Sequence, residues 1–277
     1  MEYYKPESIG EAVSLKSSWS VYIAGGTDLG VLMSDFAVQP EALIDLTLID
    51  DLHGISDTAE GVAIGAATRI AEIALSETLP SCLVQGAEAI GSPQIRNMAT
   101  IGGNICNASP CGDTLSPLVV LDAVFVLQGI GGARRVSACD FFTGPKKTCM
   151  KPEEILTAVI IPSASLDRQS GFRMIGKRNG QAISQVNAAV SAVIDGGIIK
   201  DIRIAAGSVA PVPLRLKNTE AAVTGEVLDA SLLARLKAAA EAEISPITDV
   251  RAAEDYRRKV TGSLLESIFL ELQREGL

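Results

Sequence analysis

The sequence predicts an α+β protein of two domains, and three of its features predict this class. In the first half, short apolar segments run directly into glycine turns, which lead into segments with apolar residues at helical spacing. In the second half, two apolar segments flank Asp195-Gly196-Gly197, which is typical of a β-hairpin turn. The end of the chain again carries apolar residues at helical spacing, so it is predicted to be helical.

Helices and strands are predicted to alternate along the first half. Residues 6–17 form the first predicted helix, with Ser8 as its N-cap. Strands are predicted at residues 21–24, 43–46 and 61–65, and the first of them enters a strand–loop–helix unit. Further helices are predicted after Thr68, which serves as a cap, and at residues 83–90 and 114–122.

The second half is predicted to begin with a hairpin and to end in helices. Strands at residues 123–127 and 135–137 flank the turn GIGGA. The polar segment 163–171 is predicted to be a linker and the domain boundary. Beyond it, strands are predicted at residues 172–175, 188–194 and 198–205, and helices at 229–242 and 252–273.

Composition excludes some classes of function. The chain has 277 residues, of which 47% are hydrophobic, and its net charge is −9. This acidic balance argues against nucleic acid as a partner, because phosphate binding needs clustered Lys and Arg. The N-terminus lacks an apolar leader, and Asp122 interrupts the most apolar run. We therefore expect no signal peptide and no membrane span.

The cysteines predict free thiols in a reducing cytoplasm, because their number is odd and they form no C-x2-C pair. Cys106 and Cys111 have the spacing that begins a plant-type iron–sulfur pattern. That pattern needs a further cysteine at position 114, which is Thr114. The single histidine, His53, has no companion ligands nearby, so we expect no metal site in this chain.

Two glycine-rich stretches are the main candidates for a ligand site: AGGTDLG at residues 24–30 and TIGGNICNASPCGD at residues 100–113. Paired glycines lack Cβ atoms, so a ligand can approach the backbone closely. Successive amides in such a turn, or at a helix start, form an anion site. The alternative is that Gly102-Gly103 is an ordinary turn between strands, but the presence of two such stretches favours anion binding.

With these stretches, the chain resembles the FAD-binding subunit of the molybdenum hydroxylases, the family of xanthine dehydrogenase and aerobic carbon monoxide dehydrogenase. The resemblance rests on AGGTDL, on IGSPQIRNMATIGGNICNASPCGD, on PEEIL at residues 152–156 and on VRAAEDYRR at residues 250–258. These segments follow the family's order and cover the chain nearly end to end. The combination of TIGGN, ASP and the following Asp is specific, whereas AGGTDL alone would be weak.

The resemblance implies a p-cresol methylhydroxylase-type FAD-binding domain of two α+β subdomains, followed by a smaller α+β domain. The implied FAD-binding domain covers residues 1–165, with subdomains at about 1–57 and 58–165, and the C-terminal domain covers residues 166–277. It also implies FAD as the cofactor of this chain. Molybdopterin and two-iron two-sulfur clusters are implied only for partner subunits.

The resemblance further implies sixteen FAD-binding residues, no catalytic side chain and no metal ligand. The pyrophosphate and neighbouring atoms would lie against Tyr22, Ile23, Ala24, Gly25, Gly26, Thr27, Asp28 and Leu29, and against Thr100, Ile101, Gly102, Gly103 and Asn104. Ile90 and Leu156 match positions at or near the flavin ring. Asp113 would accept a hydrogen bond from a cofactor hydroxyl, or else cap a helix that begins at Thr114.

One position departs from the family pattern. Family members often carry a lysine where this chain has Met174. Arg173, Lys177 and Arg178 are the nearby residues that could replace its charge near the flavin.

The function that the resemblance implies is electron transfer. Electrons would pass from iron–sulfur clusters on a small partner subunit, through FAD on this chain, to a soluble acceptor, NAD+. A large molybdenum subunit would complete a heterotrimer, with two heterotrimers in the complex. Two alternatives remain: a self-contained FAD-dependent oxidoreductase of the same fold, with Cys106 as a candidate for a covalent flavin link, and a scaffold subunit without cofactor.

Overall fold

The computed structural model describes residues 1–275, which form sheets of three, five and four strands and a two-stranded ribbon. The first sheet is parallel, with β3 between β1 and β2. Its elements are β1 (Glu2–Tyr4), α1 (Ile9–Ser14), β2 (Ser20–Ile23), α2 (Leu29–Ser34) and β3 (Ala42–Asp45). Ser8 is the N-cap of helix α1, as predicted, because it accepts a hydrogen bond from the amide of Glu11.

The second sheet is antiparallel and has the order β4-β5-β10-β6-β7. Its first strands are β4 (Ile55–Thr58) and β5 (Gly61–Gly65), and five helices follow them: α3 (Ile70–Ala74), α4 (Ser81–Ala89), α5 (Pro93–Met98), α6 (Ile101–Asn107) and α7 (Leu115–Val120). The remaining elements are β6 (Val124–Gly129), β7 (Gly132–Ser137), α8 (Ala138–Phe141), the ribbon strands β8 (Phe142–Gly144) and β9 (Lys147–Thr148), and β10 (Ile155–Pro162). Single 3₁₀ turns lie at Asp50–Leu52 and Ser163–Ser165.

The third sheet is antiparallel, in the order β11-β12-β13-β14, and is followed by three helices. These elements are β11 (Gln169–Ile175), β12 (Val186–Asp195), β13 (Ile198–Gly207), β14 (Leu214–Arg215), α9 (Lys217–Val223), α10 (Ala230–Glu243) and α11 (Glu254–Glu275). Within residues 1–275, no helix combines the length and the apolar character that crossing a membrane requires.

Strand β12 buries side chains on both faces of the third sheet. Val186, Ala188 and Val190 belong to the same apolar cluster as residues of α10 and α11. Ala189 belongs to the cluster that also contains residues of α4 and α7. Since successive side chains of a strand point to opposite faces, Asn187 shares the second face and lies against α7. The third sheet is therefore packed between two layers of helices.

Most of the predicted elements are confirmed, with ends that differ by a few residues. The predicted hairpin joins β12 to β13, and both Gly196 (φ 55°) and Gly197 (φ 74°) have the positive φ that such a turn requires. The GIGGA hairpin joins β6 to β7.

Two local predictions are wrong, and so is one alternative that the sequence left open. Helix α3 has Arg69 at its N-cap, because Thr68 instead donates its hydroxyl to the carbonyl of Gly54. Segment 163–171 is not a linker throughout, because β11 already begins at Gln169. The second paired glycine lies in the first turn of α6 and not between two strands, since Thr100 caps this helix.

Candidate cofactor-binding site

A cavity of about 810 Å³ lies between the first sheet, helices α5 and α6, and the loop that follows β11. Its volume falls within the range of about 300–1,000 Å³ that is typical of cofactor and small-molecule sites. Both glycine-rich stretches contribute to its wall. The fold therefore brings together two segments that are far apart in sequence.

Most of the residues predicted to bind FAD line this cavity. They are Tyr22, Ile23, Ala24, Gly25, Gly26, Thr27, Asp28, Leu29, Ile90, Thr100, Gly103, Asn104 and Asp113. The other three, Ile101, Gly102 and Leu156, do not line it and are buried in the protein instead. Leu156 lies in β10, opposite Leu127 of β6.

The first glycine-rich stretch presents free amides to the cavity. None of the backbone amides of residues 25–29 donates a hydrogen bond to another residue of the described chain. Gly26 has φ +67°, which opens the turn, and a Cβ on Gly25 would lie 1.9 Å from the carbonyl oxygen of Met98. Only glycine at position 25 allows the turn to pack this closely against the end of α5. The five amides form a concave donor surface suited to an anion.

The paired glycines of the second glycine-rich stretch, unlike those of the first, do not present free amides to the cavity. The amide of Gly102 donates to the carbonyl of Ala66 (2.8 Å), and that of Gly103 donates to Oγ1 of Thr100 (3.1 Å). The amide of Ile101 is also paired, with the carbonyl of Thr68 (3.0 Å). The expectation that these amides form a second anion site is therefore wrong, because the start of α6 is capped from within the protein. Gly103 still lines the cavity wall, where its lack of a side chain keeps space open.

Asp113 places a buried carboxylate on the cavity wall. Its Oδ1 accepts hydrogen bonds from the hydroxyl of Ser184 (2.5 Å) and from the side-chain amide of Asn187 (3.0 Å). Burial raises the pKa of Asp113 to about 6, while these two hydrogen bonds oppose that rise. The carboxylate does not cap α7, since the N-cap residue Thr114 receives no side-chain help and Asp113 contacts the third sheet instead. The helix-cap alternative is thus excluded.

The cavity wall also carries three cationic residues that were not predicted together as site residues: Lys146, Arg178 and Arg251. Lys146 lies in the ribbon turn between β8 and β9. Its Nζ donates to Oδ1 of Asn107 (2.5 Å) and lies 3.7 Å from a carboxylate oxygen of Asp28. It therefore links the two glycine-rich stretches at the edge of the cavity. No local pattern marks Lys146, and only the fold brings it there.

The position that departs from the family pattern lies beside the apolar core. Met174 is half-buried against that core. Of the nearby cations, Arg173 pairs with Glu271 and Lys177 donates to the carbonyl of Val250 (2.9 Å), whereas Arg178 lines the cavity. Arg178 is thus the candidate of the three that reaches the site.

A thiol also lies on the cavity wall, and the part of the chain that the structure describes contains no cluster of metal ligands. Cys106 lines the cavity, with its Sγ 3.6 Å from Sδ of Met150. Among residues 1–275, no group of three or more His, Cys, Asp or Glu side chains could hold a metal ion.

Comparisons with known proteins identify the family. Residues 1–164 match the model of the FAD-binding domain in molybdopterin dehydrogenase, and residues 172–272 match the CO dehydrogenase flavoprotein C-terminal domain. The chain belongs to the FAD-binding subunits of the molybdenum hydroxylases. It is 34% identical to the carbon monoxide dehydrogenase medium chain of Afipia carboxidovorans over 95% of this chain and 93% of that one.

Two further relatives agree with this flavoprotein family. The glyceraldehyde dehydrogenase medium chain of Sulfolobus acidocaldarius is 30% identical over 98% of this chain and 97% of its own length. The structure of carbon monoxide dehydrogenase from Hydrogenophaga pseudoflava matches with a TM-score of 0.91 and 32% identity, over 96% of this chain and 95% of that one. The fold is therefore the α+β flavoprotein fold that the sequence predicts, with an FAD-binding domain followed by a C-terminal domain.

The cavity of this flavoprotein subunit has the chemistry that FAD requires. A dianionic pyrophosphate fits the five free amides of residues 25–29, since amide donors stabilise anions. Asp113 is an acceptor for a hydroxyl group, and Lys146 adds a positive charge at the cavity edge. The apolar parts of the wall include Ile90 and Ile95.

Proposed function

We propose that this chain is the electron-transfer subunit of a molybdenum hydroxylase complex and connects iron–sulfur clusters on a partner subunit with a soluble acceptor, NAD+. Bound FAD supplies the redox chemistry, and the protein supplies binding and orientation. The observation that carries the proposal is the cavity wall formed by residues 25–29, where five amides have no partner in the described chain.

Each part of the cavity wall has a proposed role. The amides of residues 25–29 bind the pyrophosphate, and Gly103 adds no side chain at its place on the cavity wall. Asp113 accepts a hydrogen bond from a cofactor hydroxyl. Ile90 shields part of the ring system from water. No side chain acts as nucleophile or general base, because the cofactor provides the chemistry.

The same proposal covers the domains. Residues 1–165 form the FAD-binding domain, with subdomains at about 1–57 and 58–165, and the C-terminal domain begins at residue 166. The two family models support this division, since one ends at residue 164 and the other begins at residue 172.

The proposed partners are a small iron–sulfur subunit and a large molybdenum subunit, in a dimer of heterotrimers. Support comes from two relatives that are named medium chains, a name for one subunit among several. The test is purification from the native source with a tag on this chain. We expect two further polypeptides to co-purify, one with iron and labile sulfide and the other with molybdenum. A lone polypeptide that oxidises an organic substrate would contradict the proposal and favour the self-contained flavoenzyme.

The acceptor has a separate test. The isolated chain, loaded with FAD, is expected to pass electrons from NADH to an artificial dye, because that reaction needs only the flavin and an accessible face. It is expected not to hydroxylate purines, aldehydes or aromatic heterocycles. Reduction of the bound FAD by dithionite but not by NADH would exclude a nicotinamide acceptor and leave the subunit assignment intact.

A further inference from the structure

A buried polar network joins the second glycine-rich stretch to the third sheet. Ser184 and Asn187 both donate to Oδ1 of Asp113, at 2.5 and 3.0 Å. Ser116 in α7 donates to the side-chain oxygen of Asn187 at 2.7 Å. Ser184 is 1% exposed, and Asn187 and Ser116 are fully buried. Burying four polar side chains together is costly unless each is hydrogen-bonded, and here each one is.

The network occupies only one oxygen of the carboxylate. Both donors bind Oδ1 of Asp113, whereas Oδ2 accepts no hydrogen bond from the described residues and is not sealed off from the cavity. Two donors on one oxygen fix the rotation of the carboxylate group. The second oxygen is therefore held at the cavity wall with its lone pairs free.

The donors are themselves fixed by the C-terminal part of the chain. The hydroxyl of Ser208 donates to the carbonyl of Ser184 (3.0 Å), and Arg257 donates to the carbonyl of the next residue, Gln185 (2.5 Å). A Cβ on Gly207 would lie 2.4 Å from Oδ1 of Asn187, so glycine at this position leaves the space that Asn187 fills. These contacts restrict both donors.

We propose that Ser184 and Asn187 are positioning residues of the FAD site, which hold Asp113 so that its free carboxylate oxygen accepts a hydrogen bond from a cofactor hydroxyl. This inference rests on the proposed function. It assigns part of cofactor binding to residues that follow the FAD-binding domain in sequence. The C-terminal part of the chain thus completes the cofactor site, although it contributes no contact to the cofactor through these two side chains.

The pH dependence of FAD binding distinguishes positioning from general packing. Burial raises the pKa of Asp113 to about 6, and the hydrogen bonds from Ser184 and Asn187 lower it. Removing one donor therefore raises that pKa further, so the loss of FAD affinity with acid begins at a higher pH. The other charged side chains on the cavity wall are Asp28, Lys146, Arg178 and Arg251. They are the same in every variant compared, so a shifted midpoint reports on Asp113.

The experiment is a titration of FAD into the full-length apoprotein between pH 5 and 8, followed by flavin fluorescence. The variants are Ser184→Ala, Asn187→Ala and the control Ser170→Ala. Ser170 is a matched control because it is also buried and also links the third sheet to a helix, accepting from the amide of Cys82 (3.2 Å). It lies outside the cavity wall.

We expect Ser184→Ala to bind FAD about tenfold more weakly at pH 7, the scale of one charged hydrogen bond, with its pH midpoint raised. Asn187→Ala should change in the same direction, which keeps the test valid if Ser184→Ala fails to fold. Ser170→Ala should keep the wild-type affinity and midpoint.

Wild-type affinity and midpoint in both Ser184→Ala and Asn187→Ala would overturn the positioning role and leave the proposed function intact. An equal shift in Ser170→Ala would also overturn it, since the effect would then be one of packing. A wild-type apoprotein that takes up no FAD would instead contradict the proposed function itself.

Discussion

Substitutions at two neighbouring glycines, Gly102 and Gly103, are expected to affect different properties. One should lower the stability of the chain, and the other should weaken cofactor binding. A Cβ on Gly102 would lie 2.6 Å from the carbonyl oxygen of Ala66 and 2.8 Å from its Cβ. A Cβ on Gly103 meets one atom, Oγ1 of Thr100, at 3.0 Å and otherwise extends into the cavity. The same substitution to valine at the two positions is therefore expected to have opposite effects.

The expected magnitudes follow from these contacts. Gly102→Val forces a branched side chain against Ala66, the residue just after β5, and overpacking of this kind costs about 1–3 kcal/mol or more. Gly103→Val displaces the Thr100 hydroxyl by a few tenths of an ångström, but valine is favoured over glycine in a helix by a few tenths of a kcal/mol. Its stability should stay near that of the wild type. Its side chain occupies cofactor space, so FAD affinity should fall at least about tenfold, or 1.4 kcal/mol.

The assay combines urea unfolding of the apoproteins with FAD titration at pH 7.5. Gly102→Val should unfold at lower urea with an unchanged slope, and Gly103→Val should unfold like the wild type yet bind FAD weakly. If Gly103→Val keeps wild-type FAD affinity, the cofactor does not lie against the start of α6. If Gly102→Val is as stable as the wild type, the close approach to Ala66 is not a constraint.

Three further predictions use other contacts of the site. Gly25→Ala should lower the melting temperature and FAD affinity together, because its Cβ would lie 1.9 Å from the carbonyl oxygen of Met98; normal melting would refute this close packing. Arg257→Met leaves buried acceptors and Asp249 without their donor, so urea unfolding should show a loss of about 3–5 kcal/mol; a loss under about 1 kcal/mol would contradict it. Because the pKa of Asp113 rises from 3.8 to about 6 on folding, its protonated side chain favours the folded state below about pH 4, and that contribution is lost as the pH rises through about 6. Asp113→Asn should therefore stabilise the apoprotein at pH 8 by up to about 3 kcal/mol, with little difference near pH 4, while weakening FAD binding; equal unfolding free energies at pH 8 would contradict this.

Local signals in the sequence predicted those elements whose chemistry is local. The cap of α1 needs only Ser8 and the amide of Glu11, three residues away. The turn between β12 and β13 needs two residues with positive φ, and Gly196 and Gly197 provide them. In both cases the residues that decide the structure lie within three positions of each other, so propensity and turn chemistry suffice.

The role of the second glycine pair depends on contacts that no local pattern contains. Gly102 is required because the carbonyl of Ala66 approaches it, and the same carbonyl takes its amide. A glycine that allows close packing and a glycine that exposes amides look alike in sequence. The expectation of a second anion site was wrong for this reason, whereas the free amides of residues 25–29 agree with the expectation for the first stretch.

The surroundings of Asp113 could not be predicted for a similar reason. Its partners Ser184 and Asn187 lie 71 and 74 residues away in sequence. Asn187 reaches it because β12 presents alternate side chains to α7, and Ser184 lies in the loop just before that strand. Lys146 likewise reaches the cavity through the ribbon turn between β8 and β9. Residues of this kind become visible only when the fold is known.

The most direct test of the central claim is the absorption spectrum of the purified chain before and after acid precipitation. We expect flavin bands in the native protein, and a supernatant after precipitation that contains intact FAD in a stoichiometric amount. A colourless chain that takes up no FAD on titration would contradict the assignment of the cavity as an FAD site. Flavin that remains with the precipitated protein would instead demonstrate a covalent link and contradict purely noncovalent binding.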